Sequence, residues 1–328
     1  MSVQSLHRLS WVDSMRGFCI MAILLDHTEI YYAGCNLIPY SMYVSNVLVL
    51  FFFLSGYLFH KHQPYERTLV KHKAYAIART VLLPYFIFTT LIALPKLMVH
   101  GEDIHLSQVI SSIITGQASW FVAALTVAEL LFLIILWLTK GQPMLVLMLS
   151  LAGFVASVSF PQQRVYPWQL PNALQALLWI GTGYLYHAYE AKIDRAVNIR
   201  IVCIALACFA AVKATVYLSA SASIINPVFI TSYPLFLTDM FLGMLLAVSL
   251  FKHLPKSFIL EWTGRHSLVY YFFCGGSPLM ATLLLQILGL PYSGCYLEVA
   301  AAFVITYLID TAITWSVYRF IPWTTGRD

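Results

Sequence analysis

Charge is what this chain has least of. Asp, Glu, Lys and Arg make up only 10% of its 328 residues, where an ordinary soluble domain carries about 25%. That deficit excludes a soluble globular enzyme of normal make-up. The six cysteines, Cys19, Cys35, Cys203, Cys208, Cys274 and Cys295, are scattered and show no metal-ligand spacing, so no metal is implied. No fixed-period repeat is visible by eye, an inspection that a weak inverted repeat would escape. The net charge of +5 sits in short stretches between apolar segments. It therefore marks orientation in a bilayer and not nucleic-acid binding.

What fills the chain instead is apolar surface: 60% of residues are hydrophobic and 15% aromatic, with a mean hydropathy of +0.78. Ten apolar segments can be marked, at Val12–Tyr31, Met42–Phe59, Ala74–Val99, Trp120–Leu138, Met144–Phe160, Ala173–Tyr189, Ile201–Leu218, Thr231–Phe251, Ser267–Leu288 and Leu297–Phe320. Most approach the ~20 residues that cross a hydrocarbon core as a helix. The spacers test the count. With the N-terminus in the cytoplasm, fifteen of the 19 Lys and Arg face inward, and only Lys96 and Arg164 face outward. That is a strong positive-inside asymmetry. The expectation is an all-α polytopic membrane protein with about ten transmembrane helices, both termini cytoplasmic, forming one domain over residues 1–328. The outer stretch Ile104–Ile114 reads as a short amphipathic surface helix, and Pro161–Pro171, with Tyr166 and Trp168, as an interfacial anchor.

Charges inside the spans are the exceptions to explain, since each costs roughly 2.5–3.5 kcal/mol at bilayer depth on insertion scales. The first segment holds Arg16, Asp26, His27 and Glu29. Eleven helical steps put His27 about 16 Å beyond Arg16 and near the same face. A cation near the inner interface and a titratable base well across suggest a site running through the membrane. Taken singly, Arg16 also fits a snorkelling residue and His27 a hydrogen-bonded structural one. Lys213 and Asp239 lie on consecutive spans and are placed to pair. Glu129 and Asp310 are open between packing and facing a polar cavity. Cys35 and Cys295 both fall in outer loops, where an oxidising compartment would permit a bridge.

Three further segments carry pattern. Phe51-Phe52-Phe53-Leu54-Ser55-Gly56-Tyr57 closes the second span. Arg79-Thr80-Val81-Leu82-Leu83-Pro84-Tyr85 opens the third, and Ser119-Trp120-Phe121-Val122-Ala123-Ala124-Leu125 starts the fourth. Each alone has a bland explanation in helix packing, snorkelling or an aromatic belt. In this order, with Trp11-Val12-Asp13-Ser14-Met15-Arg16-Gly17, they resemble the acyltransferase 3 family of integral membrane acyltransferases. Arg16 and His27 match its arginine–ten residues–histidine signature, and Gly264-Arg265-His266-Ser267-Leu268 resembles its late glycine–serine–leucine turn. Many relatives carry a histidine eight positions into that last motif, where Cys274 stands here. No role of that histidine carries over.

The resemblance, closest to the branch of bacterial sugar O-acetylases, implies transfer of an acetyl or other short acyl group. The donor it implies is acetyl-CoA; the acceptor is a hydroxyl of a cell-surface glycan or its lipid-linked precursor, and the setting is the bacterial cytoplasmic membrane. A sugar hydroxyl needs a base at neutral pH; His27 is the candidate base or acyl carrier, and direct transfer and an acyl-histidine intermediate both stay open. Arg16 is the candidate for contact with the donor or for charge balance. Arg79, Lys71 and Lys73 are the candidates for CoA phosphate. Glu29, Ser55 and Trp120 are candidates for shaping a substrate channel. The rival reading is a secondary transporter or glycan flippase, which buried charges would also suit. Against it, no pair of glycine- or proline-interrupted helices stands out in matching halves, and the charge concentrates near the first three spans.

Overall fold

The computed structural model describes residues 9–99 and 105–326, without the side chains of residues 94–99. Arg8, the Lys96 side chain and the start of the expected surface helix at Ile104 therefore lie outside the described residues. Helices fill every one of the ten apolar segments: α1 (Ser10–Thr28), α2 (Tyr40–Phe59), α3 (Arg67–Ile77), α4 (Leu83–Val99), α5 (Leu106–Ile114), α6 (Trp120–Thr139), α7 (Pro143–Val158), α8 (Leu170–Ala196) and α9 (Ile199–Leu218) come first. A two-stranded antiparallel hairpin follows, β1 (Ser223–Ile225) with β2 (Val228–Ile230). Then come α10 (Tyr233–His253), α11 (Phe258–Arg265), α12 (Ser267–Phe273), α13 (Gly276–Ile287) and α14 (Tyr296–Phe320).

By length and apolarity, α2, the helix Arg67–Ala93, α6, α9, α10 and α14 qualify as membrane spans among the described residues. α12 and α13 together make a seventh if counted as one bent span. The other segments miss for physical reasons. α1 carries Asp13, Arg16 and Asp26, α7 has only 16 residues, and α8 is interrupted by Asn172, Gln175, His187 and Glu190.

Several local features depart from uniform helix. α1 continues as a π-helical turn over Glu29–Ala33 and stops at Gly34, whose φ of 79° few other residues tolerate. A second π turn, Ala78–Leu82, joins α3 to α4. Pro84 explains its position: proline removes an i→i−4 hydrogen bond and crowds the carbonyl four residues back, and a widened turn absorbs both. Lys71 and Lys73, which precede the third apolar segment, thus stand on a continuous helix. The Gly275–Gly276 step bends α12 against α13 by 54°. The hairpin falls between two apolar segments; β-branched Ile and Val on both sides of Asn226-Pro227 account for it.

The chain forms two compact units. The first comprises residues up to Val47, Ile199–Ala214 and Leu237–Thr314; the second comprises Leu48–Asn198, Thr215–Phe236 and the remainder from Trp315. In the first, α1 and α11 touch backbone to backbone, since a Cβ on Gly17 would overlap the Leu260 carbonyl and one on Gly264 the Asp13 carbonyl. In the second, α2 and α8 do the same through Gly56 against Ile180 and Gly183 against Phe53. Small residues let helices approach where lipid supplies no hydrophobic drive.

Candidate active site

The opening and late motifs of the chain interlock around α1. Asp13 is 8% exposed and lies 3.8 Å from Arg265 Nε. Arg265 Nη2 is also 3.4 Å from Glu261 Oε2, and Ser10 donates to Glu261 Oε1 at 2.5 Å. Lys252 sits over the Trp11 ring, 5.4 Å from its centroid. This brace holds the N-terminal end of the helix that bears Arg16. α1 is unbroken from Ser10 to Thr28, so Arg16 and His27 stay about 16 Å apart along its axis and about 20° apart around it. Both side chains are part-buried. Among the described residues His27 makes no hydrogen bond.

The carboxylates beside it behave differently. Asp26 accepts from Asn36 Nδ2 at 2.5 Å. Glu29 is wholly buried and takes three donors: the amides of Leu37 (2.9 Å) and Ile38 (3.1 Å) on Oε2, and the Tyr296 hydroxyl (2.8 Å) on Oε1. Glu29 therefore pins the loop after α1 and the start of α14, and its acceptor capacity is largely spent there. Cys35 and Cys295 are free and exposed. The expected pairing of Lys213 and Asp239 is present at 2.8 Å, with Lys213 also donating to Ser41 O (2.9 Å) and Asn46 Oδ1 (2.7 Å).

The second unit gathers the other candidates. Ser55 donates to Glu129 Oε1 at 2.6 Å, and Lys73 lies within electrostatic reach of Glu129. Lys73 also sits 5.5 Å from the Phe59 ring centroid. Lys71 is exposed and Arg79 part-buried; Gly326 packs on the Arg79 carbonyl. Trp120 leads into Phe121, whose ring meets Phe51 at 5.6 Å and Phe52 at 5.2 Å. Two sequence motifs are thus one aromatic contact.

Sequence reasoning missed a histidine group at the end of α2. Tyr57 donates to Glu190 Oε2 at 2.8 Å. His187 stacks on Tyr57, centroids 4.1 Å apart, and its Nδ1–H donates to the Tyr57 carbonyl at 2.7 Å. His60 packs on His187 at 4.7 Å. Burial, then the neighbouring His187, His62 and Lys61, push the His60 imidazole down to about 4. The run of His and Lys after Phe59 was a visible signal, but the partner 127 positions later had none. Among the described residues no three His, Cys, Asp or Glu side chains converge as a metal site.

Among the described residues, six helices long and apolar enough to cross a membrane define a class, a multi-pass membrane protein. The family model described as an acyltransferase domain matches residues 9–319. The chain belongs to the acyltransferase 3 family, and it is a membrane acyltransferase. No curated protein and no solved structure matches it significantly.

Proposed function

We propose that this acyltransferase moves an acetyl group from acetyl-CoA to a hydroxyl of a cell-surface glycan or its lipid-linked precursor. The setting is the bacterial cytoplasmic membrane, with about ten spans and both termini inside. The observation that carries the chemistry is the pairing of Arg16 with an unspent His27 on one face of an unbroken helix. His27 takes the proton of the acceptor hydroxyl as the new C–O bond forms. The C–S bond to CoA breaks, and the proton ends on the departing sulfur. Arg16 supplies positive charge to the donor or to the developing oxyanion. Arg79, Lys71 and Lys73 bind CoA phosphates as charge-assisted donors, while Ser55, Trp120 and Glu29 shape or brace the channel.

Glycan mass spectrometry of cells with and without the gene tests the reaction, and cells bearing His27→Ala or Arg16→Ala test the residues. Loss of one acetyl per modified sugar in the deletion and in both variants is expected. Normal acetylation by well-expressed His27→Ala would refute the assignment of the base. Purified protein that carries glycan across vesicles without any CoA would favour a carrier instead.

A further inference from the structure

The buried helical threonines Thr28, Thr89, Thr126, Thr139 and Thr263 each donate to the carbonyl four residues back, at 2.6–2.8 Å. That is the usual way a helix satisfies a hydroxyl in an apolar interior. Thr306 and Thr314 of α14, both 0% exposed, do not do so, and their hydroxyls are unpartnered among the described residues. Between them Asp310, also 0% exposed, closes no hydrogen bond of ordinary geometry at either oxygen among the described residues. Ser277 of α13 is close enough to that carboxyl to lend it hydrogen-bonding stabilisation, though at a geometry too loose to close a regular hydrogen bond among the described residues.

The spacing of these groups points to what satisfies them. Residues four apart share a helix face and sit about 6 Å apart along the axis. A water bridging two groups through hydrogen bonds of ~2.8 Å at its roughly tetrahedral angle spans about 4.5 Å, within reach of side chains on neighbouring turns. Thr306 and Thr314 are about 12 Å apart along the axis, too far to ligate one cation at 2.3–2.6 Å. Buried polar atoms without protein partners are satisfied by ordered water.

We propose that α14 carries a file of bound water from Thr306 past Asp310 to Thr314, with Asp310 as its proton-exchanging member. A carboxyl suits that position because it donates or accepts according to whether it holds a proton. Cys274, beside the α12–α13 bend, lies within electrostatic reach of both Asp310 and Asp26, the neighbour of His27. The file and the Asp26 end of α1 thus share Cys274 as a neighbour. Use of the file there, passing the acceptor's proton from His27 toward the CoA sulfur, rests on the reading under Proposed function; the water itself does not.

X-ray hydroxyl-radical labelling of the full chain in lipid nanodiscs tests the file, because radicals born from bound water oxidise buried side chains beside it. Tyr270, 1% exposed and near Asp310, and Cys274 are the reporters. Both should be oxidised in the wild type and several-fold less in Thr306→Val/Thr314→Val. If that variant fails to fold, Ser277→Ala is read in the same way. Reporters unlabelled in the wild type, labelled equally in the variant, or a variant that melts higher than the wild type would each overturn the proposal. The measurement needs no donor or acceptor, so its outcome is separate from that of the His27 test.

Discussion

Gly17 of α1 and Gly264 of α11 meet backbone to backbone, so that a Cβ on Gly264 would stand 2.8 Å from the Gly17 amide nitrogen. One glycine lies beside Arg16, and the other opens the late motif. Two stretches nearly 250 residues apart in sequence are thus halves of a single helix contact that sets the height and rotation of α1. Gly264→Ala forces the helices apart. Overpacking of this kind costs about 1–3 kcal/mol in tolerant cores, and backbone against backbone leaves no rotamer to yield. The expected result is a drop in melting temperature in detergent together with loss of acyl transfer. A variant with wild-type melting would show that the contact is loose.

The ion pair between Lys213 and Asp239 tests what a buried charge is worth here. Lys213 is 8% and Asp239 1% exposed. Lys213→Met strands the carboxylate, and breaking a buried pair from one side costs about 3–5 kcal/mol. The double variant Lys213→Met/Asp239→Leu removes both charges and should regain most of that loss. Melting temperatures of the two single variants and the double close the cycle. Additive losses would mean that the pair does not act as a unit.

The helices and this ion pair were legible in the sequence. Apolar runs near 20 residues in a charge-poor chain admit little besides membrane helices, and a lone Lys and a lone Asp on consecutive spans have few other partners. What was not legible depends on neighbours in space. Nothing in the chain said that Glu29 is consumed by the amides of Leu37 and Ile38, that Ser55 finds Glu129, or that His187 stacks on Tyr57. The π turns at Glu29–Ala33 and Ala78–Leu82 leave no periodicity of their own, because one extra residue per turn is lost in a uniformly apolar pattern. The unsatisfied face of α14 shows only as threonines at ordinary helical spacing. Their departure from the habit of Thr28 or Thr126 is a matter of rotamer, which sequence does not carry.

Glu29 separates a brace from a reactive acid. Its three donors converge on one carboxylate, and hydrogen bonds to a charged acceptor contribute about 1.5–3 kcal/mol each. Glu29→Gln turns one acceptor into a donor and sets it against the loop amides or the Tyr296 hydroxyl. Tyr296→Phe removes a single bond. A double-mutant cycle in melting temperature should show coupling between the two, since both act through the same oxygen pair. In kinetics Glu29→Gln should weaken substrate binding more than turnover, as expected when a loop shifts. Turnover falling as far as in His27→Ala, with binding unchanged, would instead place Glu29 in the chemistry.

The histidine group after α2 makes stability depend on pH in a direction that can be worked out. His60 follows the last residue of α2, and its Nδ1 is buried without a partner among the described residues. Burial and the nearby His187, His62 and Lys61 hold its imidazole near 4 when folded, against about 6.5 for a free side chain. Between these values the unfolded chain binds more protons than the folded one. Stability therefore rises with pH across this window. The contribution of His60 is complete above about 6.5 and is lost as pH falls toward 4. Because the residue is only part-buried, screening makes the effect modest. His60→Gln keeps a polar group of similar reach and removes the titration. The wild type should lose melting temperature between pH 6.5 and 4 faster than His60→Gln, and the two should run parallel above pH 7. Parallel curves throughout would mean that the ring is protonated in place without cost, and that its packing against His187 and, at 5.1 Å, the Tyr184 ring does not exclude its charge.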